Sequence, residues 1–148
     1  MSLINDLIED LDAESAALEA VVSGLTDEQW ELDTPAAGWT IATQIGHLLS
    51  SDQAAILAAS APDDFAEMVR DGLTRENPWR FIDEAAIAEG QRPKTELLAD
   101  WRTDRARLAQ LLLEYPEGTK LPWFGPPMSA PSMASARLME TWAHGQDI

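Results

Sequence analysis

The chain has 148 residues, 45% of them hydrophobic, with ten basic and 26 acidic side chains, a net charge of −16 and no cysteine. That length suits one domain, residues 1–148, with a substantial core, and the missing cysteines exclude both a disulfide framework and a thiolate metal site. Nucleic-acid binding draws its affinity from phosphate neutralisation by Lys and Arg, so the charge argues against a nucleic acid or an anionic membrane surface as partner.

The first element is a helix over residues 3–25. Ile4, Leu7, Ile8, Leu11, Leu18, Val22 and Leu25 recur at helical spacing, acids fill the other face, and Gly24 is a plausible terminator. This acidic start lacks the basic flank and apolar block of a secretory signal. No segment approaches the roughly 20 uninterrupted apolar residues of a membrane span. The cytoplasm is the expected compartment. TDEQWELDTPAAG, residues 26–38, has room for one helical turn around Trp30 before Pro35 and Gly38.

Thr40 can cap a second long helix from Ile41 to about Ala59. Its stripe is Ile41, Ile45, Leu48 and Ala55, with Asp52 on the same line and His47 on its flank beside Gln44 and Ser51. A buried acid needs a partner. Asp52 could orient an imidazole, pair with an arginine, or take a Trp or backbone donor, and the last reading is the plainer one. APDDFAEMVRDG and NPWRFIDEAAIAEG read as two shorter helices, each with proline in its first turn and glycine at its end. Residues 94–115 form a strong helix with Leu97, Leu98, Trp101, Leu108, Leu111, Leu112 and Tyr115 on one face.

Residues 116–131 carry five prolines and two glycines around Trp123 and Phe124, so they form a shaped loop. Its aromatic residues could lid a pocket or plug a bundle end. A last helix runs from about Ser132 to the end of the chain. No strand-like alternation, internal repeat or low-complexity tract is present. Four long helices with two shorter ones inserted predict an all-α bundle, and the long connection between its second and third helices permits a crossover.

On the last helix, Met133, Ala136, Glu140, Ala143, His144 and Asp147 share one side, with Arg137 at its edge. Leu138 and Trp142 lie opposite and are the expected core anchors. The Glu140–His144 stripe then faces solvent, a second interface or a cavity, and its alanines and methionine fit a cavity wall. A Glu and a His four apart on a helix are commonly a solvated ion pair worth a few tenths of a kcal/mol. His47 by itself is commonly a hydrogen-bonded bundle histidine. The chain has two histidines in total, however, and both lie on long helices beside apolar stripes. His47 can converge with Glu140 and His144 if those helices are neighbours. Three N and O ligands with open positions form a reactive type of divalent metal site. Its open positions are expected to face the loop carrying Trp123. Zinc suits the ligands best; nickel, iron and manganese accept them too. Asp147 is a candidate to orient a ligand, and Arg137 to meet an anionic substrate or pair with an acid. No serine-nucleophile elbow or phosphate-cradling glycine loop is present.

GWTIATQIGHLLSSDQAA, residues 38–55, resembles the helix-two motif of the DinB-like superfamily. ETWAHGQDI, residues 140–148, resembles the last-helix motif of the branch containing mycothiol-dependent maleylpyruvate isomerase, a branch typical of actinobacteria. The resemblance implies a four-helix bundle with a long crossover. It also implies a divalent metal, normally zinc, on His47, Glu140 and His144, with a low-molecular-weight thiol such as mycothiol as the partner. Members of that branch continue into a further C-terminal domain, so the resemblance implies either a single-domain relative or the N-terminal, metal-binding part of a longer protein. Three function classes follow. They are a metal-dependent thiol transferase or isomerase, a non-catalytic metal-binding domain of a larger protein, and a helical interaction module in which Glu140 and His144 are surface charges. A homodimer through an exposed helix face is a further expectation.

Overall fold

A computed structural model describes residues 2–148. It contains α1 (Leu3–Val22), α2 (Asp27–Trp30), α3 (Ile41–Ser60), α4 (Pro62–Leu73), α5 (Arg80–Gly90), α6 (Lys94–Glu114) and α7 (Ala130–Gln146). Among the described residues the only β-type pairings are isolated bridges, Asp33 with Thr40 and Leu121 with Met128. The all-helical expectation holds.

Local chemistry sets the helix starts. Ser2, Thr40 and Ser129 each accept a backbone N–H of the first turn through the side-chain oxygen, satisfying donors that have no helical partner. Thr26 and Gln29 form a complete capping box, which explains how the four-residue α2 holds its shape. The fourth long helix starts two residues before the expected Ser132 because the Ser129 cap admits Pro131 in the first turn. α5 departs from expectation. Pro78 lies outside it, because Trp79 takes a left-handed φ of 75° and the helix begins at Arg80. Gly72 does not end α4 but lies within it against the Phe81 ring, where a Cβ would overlap the ring atoms.

α1, α3, α6 and α7 form the bundle. α1 packs on α7 and α6, and α3 packs on α6 and α7, so α1 and α3 occupy opposite corners. The α1-to-α3 connection therefore crosses the bundle, while α4 and α5 fill the long α3-to-α6 connection and lie against α3. α3 and α5 approach closely because Gly46 and Gly90 face each other's backbones.

The core is split in two. One apolar cluster joins Ile8, Leu11, Ala55, Phe65, Leu108, Leu112 and Met133. The other joins Leu18, Val22, Trp30, Ile45, Leu48, Leu49, Leu97 and Trp101. Burying each of these large side chains stabilises the fold by about 1.5–3 kcal/mol. A polar seam runs between the clusters. Ser15, Asp52 and Arg137 are buried in it, and the Arg137 guanidinium donates from Nε to the Asp52 carboxylate at 3.0 Å.

This seam corrects two expectations. Asp52 is satisfied by Arg137, not by a tryptophan or a backbone donor. The core face of α7 is Ala130, Met133, Ala134, Arg137 and Thr141, and Trp142 is 55% exposed. Leu138 is only partly buried, at the edge of the first cluster. The aromatic side chain suggested a core anchor, but α7 instead buries the face that carries Met133 and Arg137, and Arg137 there meets Asp52. No helix among the described residues is long and apolar enough to cross a membrane.

Candidate metal centre

The same inward turn of α7 carries Glu140 and His144 toward α3, where His47 meets them. Glu140 Oε2 lies 2.9 Å from His144 Nε2 and 3.5 Å from His47 Nε2. One ligating atom from each of the three residues lies within 4.8 Å of the others, and the imidazole rings are 4.5 Å apart between centroids. The stripe is thus a lined, half-buried site. Its side chains are 12% (His47), 34% (Glu140) and 23% (His144) exposed.

These positions pass a simple test of fit. Donors that bind one tetrahedral ion at 2.0–2.2 Å lie roughly 3.4 Å from each other. The two measured separations from the carboxylate oxygen bracket that value. Two neutral nitrogen donors and one carboxylate also match the donor chemistry of zinc and of its first-row neighbours. The histidines hold the Glu140 carboxyl well below the usual carboxylate range. The hydrogen bond with His144 contributes most, that with His47 next, and burial opposes them.

Around the three residues lies a shell that sequence reading only partly identified. Trp39 packs on both imidazoles, tilted over His47 at 5.0 Å and stacked on His144 at 5.8 Å. Its indole N–H donates to the Asp83 carboxylate of α5. Gln44, fully buried one helical turn before His47, places Oε1 2.7 Å from His144 Nδ1. Gln44 Nε2 donates to Thr34 Oγ1 at 3.0 Å, and Thr34 Oγ1 donates to the Trp39 carbonyl at 2.8 Å. Spacing placed Gln44 beside His47, and Trp39 stood in the quoted motif. Nothing local to Thr34 or Asp83 signalled a role, because both arrive through tertiary contacts. His47 Nδ1 is buried without a partner.

Other candidates lie elsewhere. Asp147 caps the end of α7 and is not in the cluster. Arg137 pairs with Asp52 and adds a favourable charge near Glu140. Trp123 stacks on Phe65 at 5.7 Å and belongs to the first apolar cluster, as a bundle-end plug would. The aromatic residue that covers the site is Trp39. Phe124 lines a cavity of about 70 Å³ with Ser50, Ser51 and Phe81, one turn along α3 from His47.

Residues 11–148 match the family model described as mycothiol maleylpyruvate isomerase N-terminal domain. Two Mycobacterium tuberculosis proteins, from strains CDC 1551 / Oshkosh and ATCC 25618 / H37Rv, are 52% identical over 141 residues, and both bear the name uncharacterized protein. The match covers 95% of this chain and 54% of each relative, so the chain spans about half the length of these relatives. The crystal structure of the mycothiol-dependent maleylpyruvate isomerase superposes with a TM-score of 0.76 at 15% identity, covering 99% of this chain and 60% of that one. A histidine-to-alanine mutant of that enzyme gives the same values. At that identity the likeness concerns the fold, and the family assignment rests on the sequence model. The chain belongs to the mycothiol maleylpyruvate isomerase N-terminal domain family.

Proposed function

We propose that His47, Glu140 and His144 hold one divalent metal ion, zinc by preference, and that the site serves chemistry on a low-molecular-weight thiol such as mycothiol. The observation that carries this reading is the convergence of both histidines of the chain on one carboxylate oxygen, across two helices that are far apart in sequence. When bound, the ion would lower the pKa of a coordinated thiol and keep it as thiolate near neutral pH. A chain without cysteine can take part in thiol chemistry in this way.

The chain's own residues have separable roles in this reading. Glu140 supplies the negative charge that balances the cation. Trp39 shields one side of both imidazoles from water, which strengthens charge interactions there. Gln44 orients His144. The Arg137–Asp52 pair fixes α7 against α3 and so sets the distance between His47 and the other two ligands.

A second reading is favoured by length. Relatives are nearly twice as long as this chain, so the bundle could be the metal-binding part of a protein that completes its active site elsewhere. Two assays separate the readings. Elemental analysis of purified protein tests the metal, with His144→Ala as the control that loses it and keeps its helix content. Turnover of a thiol-reactive substrate with mycothiol, by this chain alone and by a relative of full length, then distinguishes an enzyme from a metal-binding domain. Absence of stoichiometric metal in the unmutated protein would leave the helical interaction module as the reading.

A further inference from the structure

The hydrogen bonds from Trp39 to His144 can be followed proton by proton. The Trp39 carbonyl oxygen carries no hydrogen. Thr34 Oγ1 lies 2.8 Å from it, and two bare oxygens at that distance would repel, so the single hydroxyl proton of Thr34 points at the carbonyl. Thr34 Oγ1 can then only accept from Gln44. The amide group 3.0 Å away must be the NH₂, which turns the amide oxygen to His144. That oxygen is 2.7 Å from Nδ1 and again carries no hydrogen, so Nδ1 is the protonated nitrogen. A neutral imidazole has one N–H. In the neutral ring His144 Nε2 is therefore a bare lone pair, held 2.9 Å from a carboxylate oxygen that is also acceptor-only; a ring protonated on both nitrogens donates to that oxygen instead.

We infer that Gln44 is a positioning residue whose buried amide locks neutral His144 in the Nδ1–H tautomer, so that the His144–Glu140 contact is favourable only with a positive charge between the two atoms, either a second ring proton or a metal cation. This rests on the metal reading above and deepens it. An ordinary His–Glu pair would put the proton on Nε2, toward the carboxylate. The Thr34–Gln44 relay removes that option and reserves both atoms for a positive charge. Gln44 is completely buried and both ends of its amide are engaged, so the side chain cannot turn without breaking two hydrogen bonds.

The test uses long-range ¹H–¹⁵N NMR of the imidazoles in the metal-free protein, above the pH range in which imidazole titrates, together with zinc affinity by competition with a chelating dye. The unmutated protein should show His144 as the Nδ1–H tautomer. Gln44→Met should shift it toward Nε2–H and weaken zinc binding about 10- to 100-fold, the usual cost of losing a partner of a ligating histidine. Gln44→Glu keeps an acceptor at the same place and should retain the Nδ1–H tautomer. Thr34→Val, at a partly exposed position, frees the amide to turn and should give mixed tautomers with a several-fold loss of affinity. This last variant decides the matter if Gln44→Met does not fold. An Nε2–H tautomer in the unmutated protein overturns the inference, as does unchanged tautomer in both Gln44→Met and Thr34→Val. If the tautomers behave as stated but zinc does not bind, the Gln44 assignment stands and the metal reading fails.

Discussion

The guanidinium of Arg137 on α7 and the carboxylate of Asp52 on α3 meet at 3.0 Å with both side chains almost fully buried. Burial pushes the Asp52 carboxyl up, and Arg137 pulls it back toward the charged form. Removing one partner leaves the other charge unpaired in a low dielectric. Arg137→Met should cost about 3–5 kcal/mol at neutral pH by urea unfolding. The cost should shrink as pH falls, because the orphaned Asp52 can then be protonated. Asp52→Leu combined with Arg137→Met should recover most of the loss. Equal loss in the single and double variants would show that the pair is not the feature at stake.

Glu140 makes stability depend on pH in a defined direction. Its folded-state carboxyl is held below the unfolded value by His144 first and His47 second. The stabilisation is therefore complete above the ordinary carboxylate range and is lost as pH falls through the folded value. Metal-free Glu140→Gln should show a flatter stability profile on the acid side than the unmutated protein. Parallel profiles in thermal melts across the acid range would contradict this.

Gly46 holds α5 close to α3. A Cβ there would sit 2.5 Å from the Ala86 carbonyl oxygen and 2.8 Å from the Gly90 nitrogen, both backbone atoms. Gly46→Ala should destabilise by about 1–3 kcal/mol in chemical denaturation, because the helices must separate. The same separation moves Asp83 and loosens Trp39, so zinc affinity should fall as well. A variant as stable as the parent would mean that α5 is free to shift.

Trp39 touches both imidazoles. Zinc titration should change tryptophan fluorescence, and Trp39→Phe should abolish that change although five other tryptophans remain. Trp39→Ala should weaken metal binding about tenfold by freeing both rings, a cost typical of losing support for metal ligands. A fluorescence response retained in Trp39→Phe would place the signal elsewhere.

How much of this was legible in the sequence depended on whether the information was local. The cap at Thr40 and the helical repeats of Leu and Ile are local, and the four long helices and the short α2 turn follow from such signals, although the Ser129 cap that starts α7 two residues early was not among them. That His47, Glu140 and His144 could meet was legible because two histidines and one Glu–His pair leave few combinations. Trp142 misled because hydrophobicity does not say which face of α7 is buried; the buried face carries Arg137, whose partner Asp52 is 85 residues away in sequence. Pro78 misled because the left-handed turn at Trp79 has no local signature in a bulky residue. Thr34 and Asp83 acquire their roles only through Gln44 and Trp39, by contacts that no spacing rule encodes.

The central claim is one divalent ion shared by His47, Glu140 and His144, and anomalous X-ray diffraction at the zinc absorption edge on crystals of the zinc-loaded protein addresses it most directly. The account predicts a single strong peak at roughly 2.0–2.2 Å from one nitrogen of each histidine and from a Glu140 oxygen. It also predicts that the peak is lost when crystals are equilibrated at a pH low enough to protonate imidazole, since imidazolium cannot ligate. A fully zinc-supplied crystal with no peak between α3 and α7, and with Glu140 still in direct contact with His144 as in the structure, would contradict it.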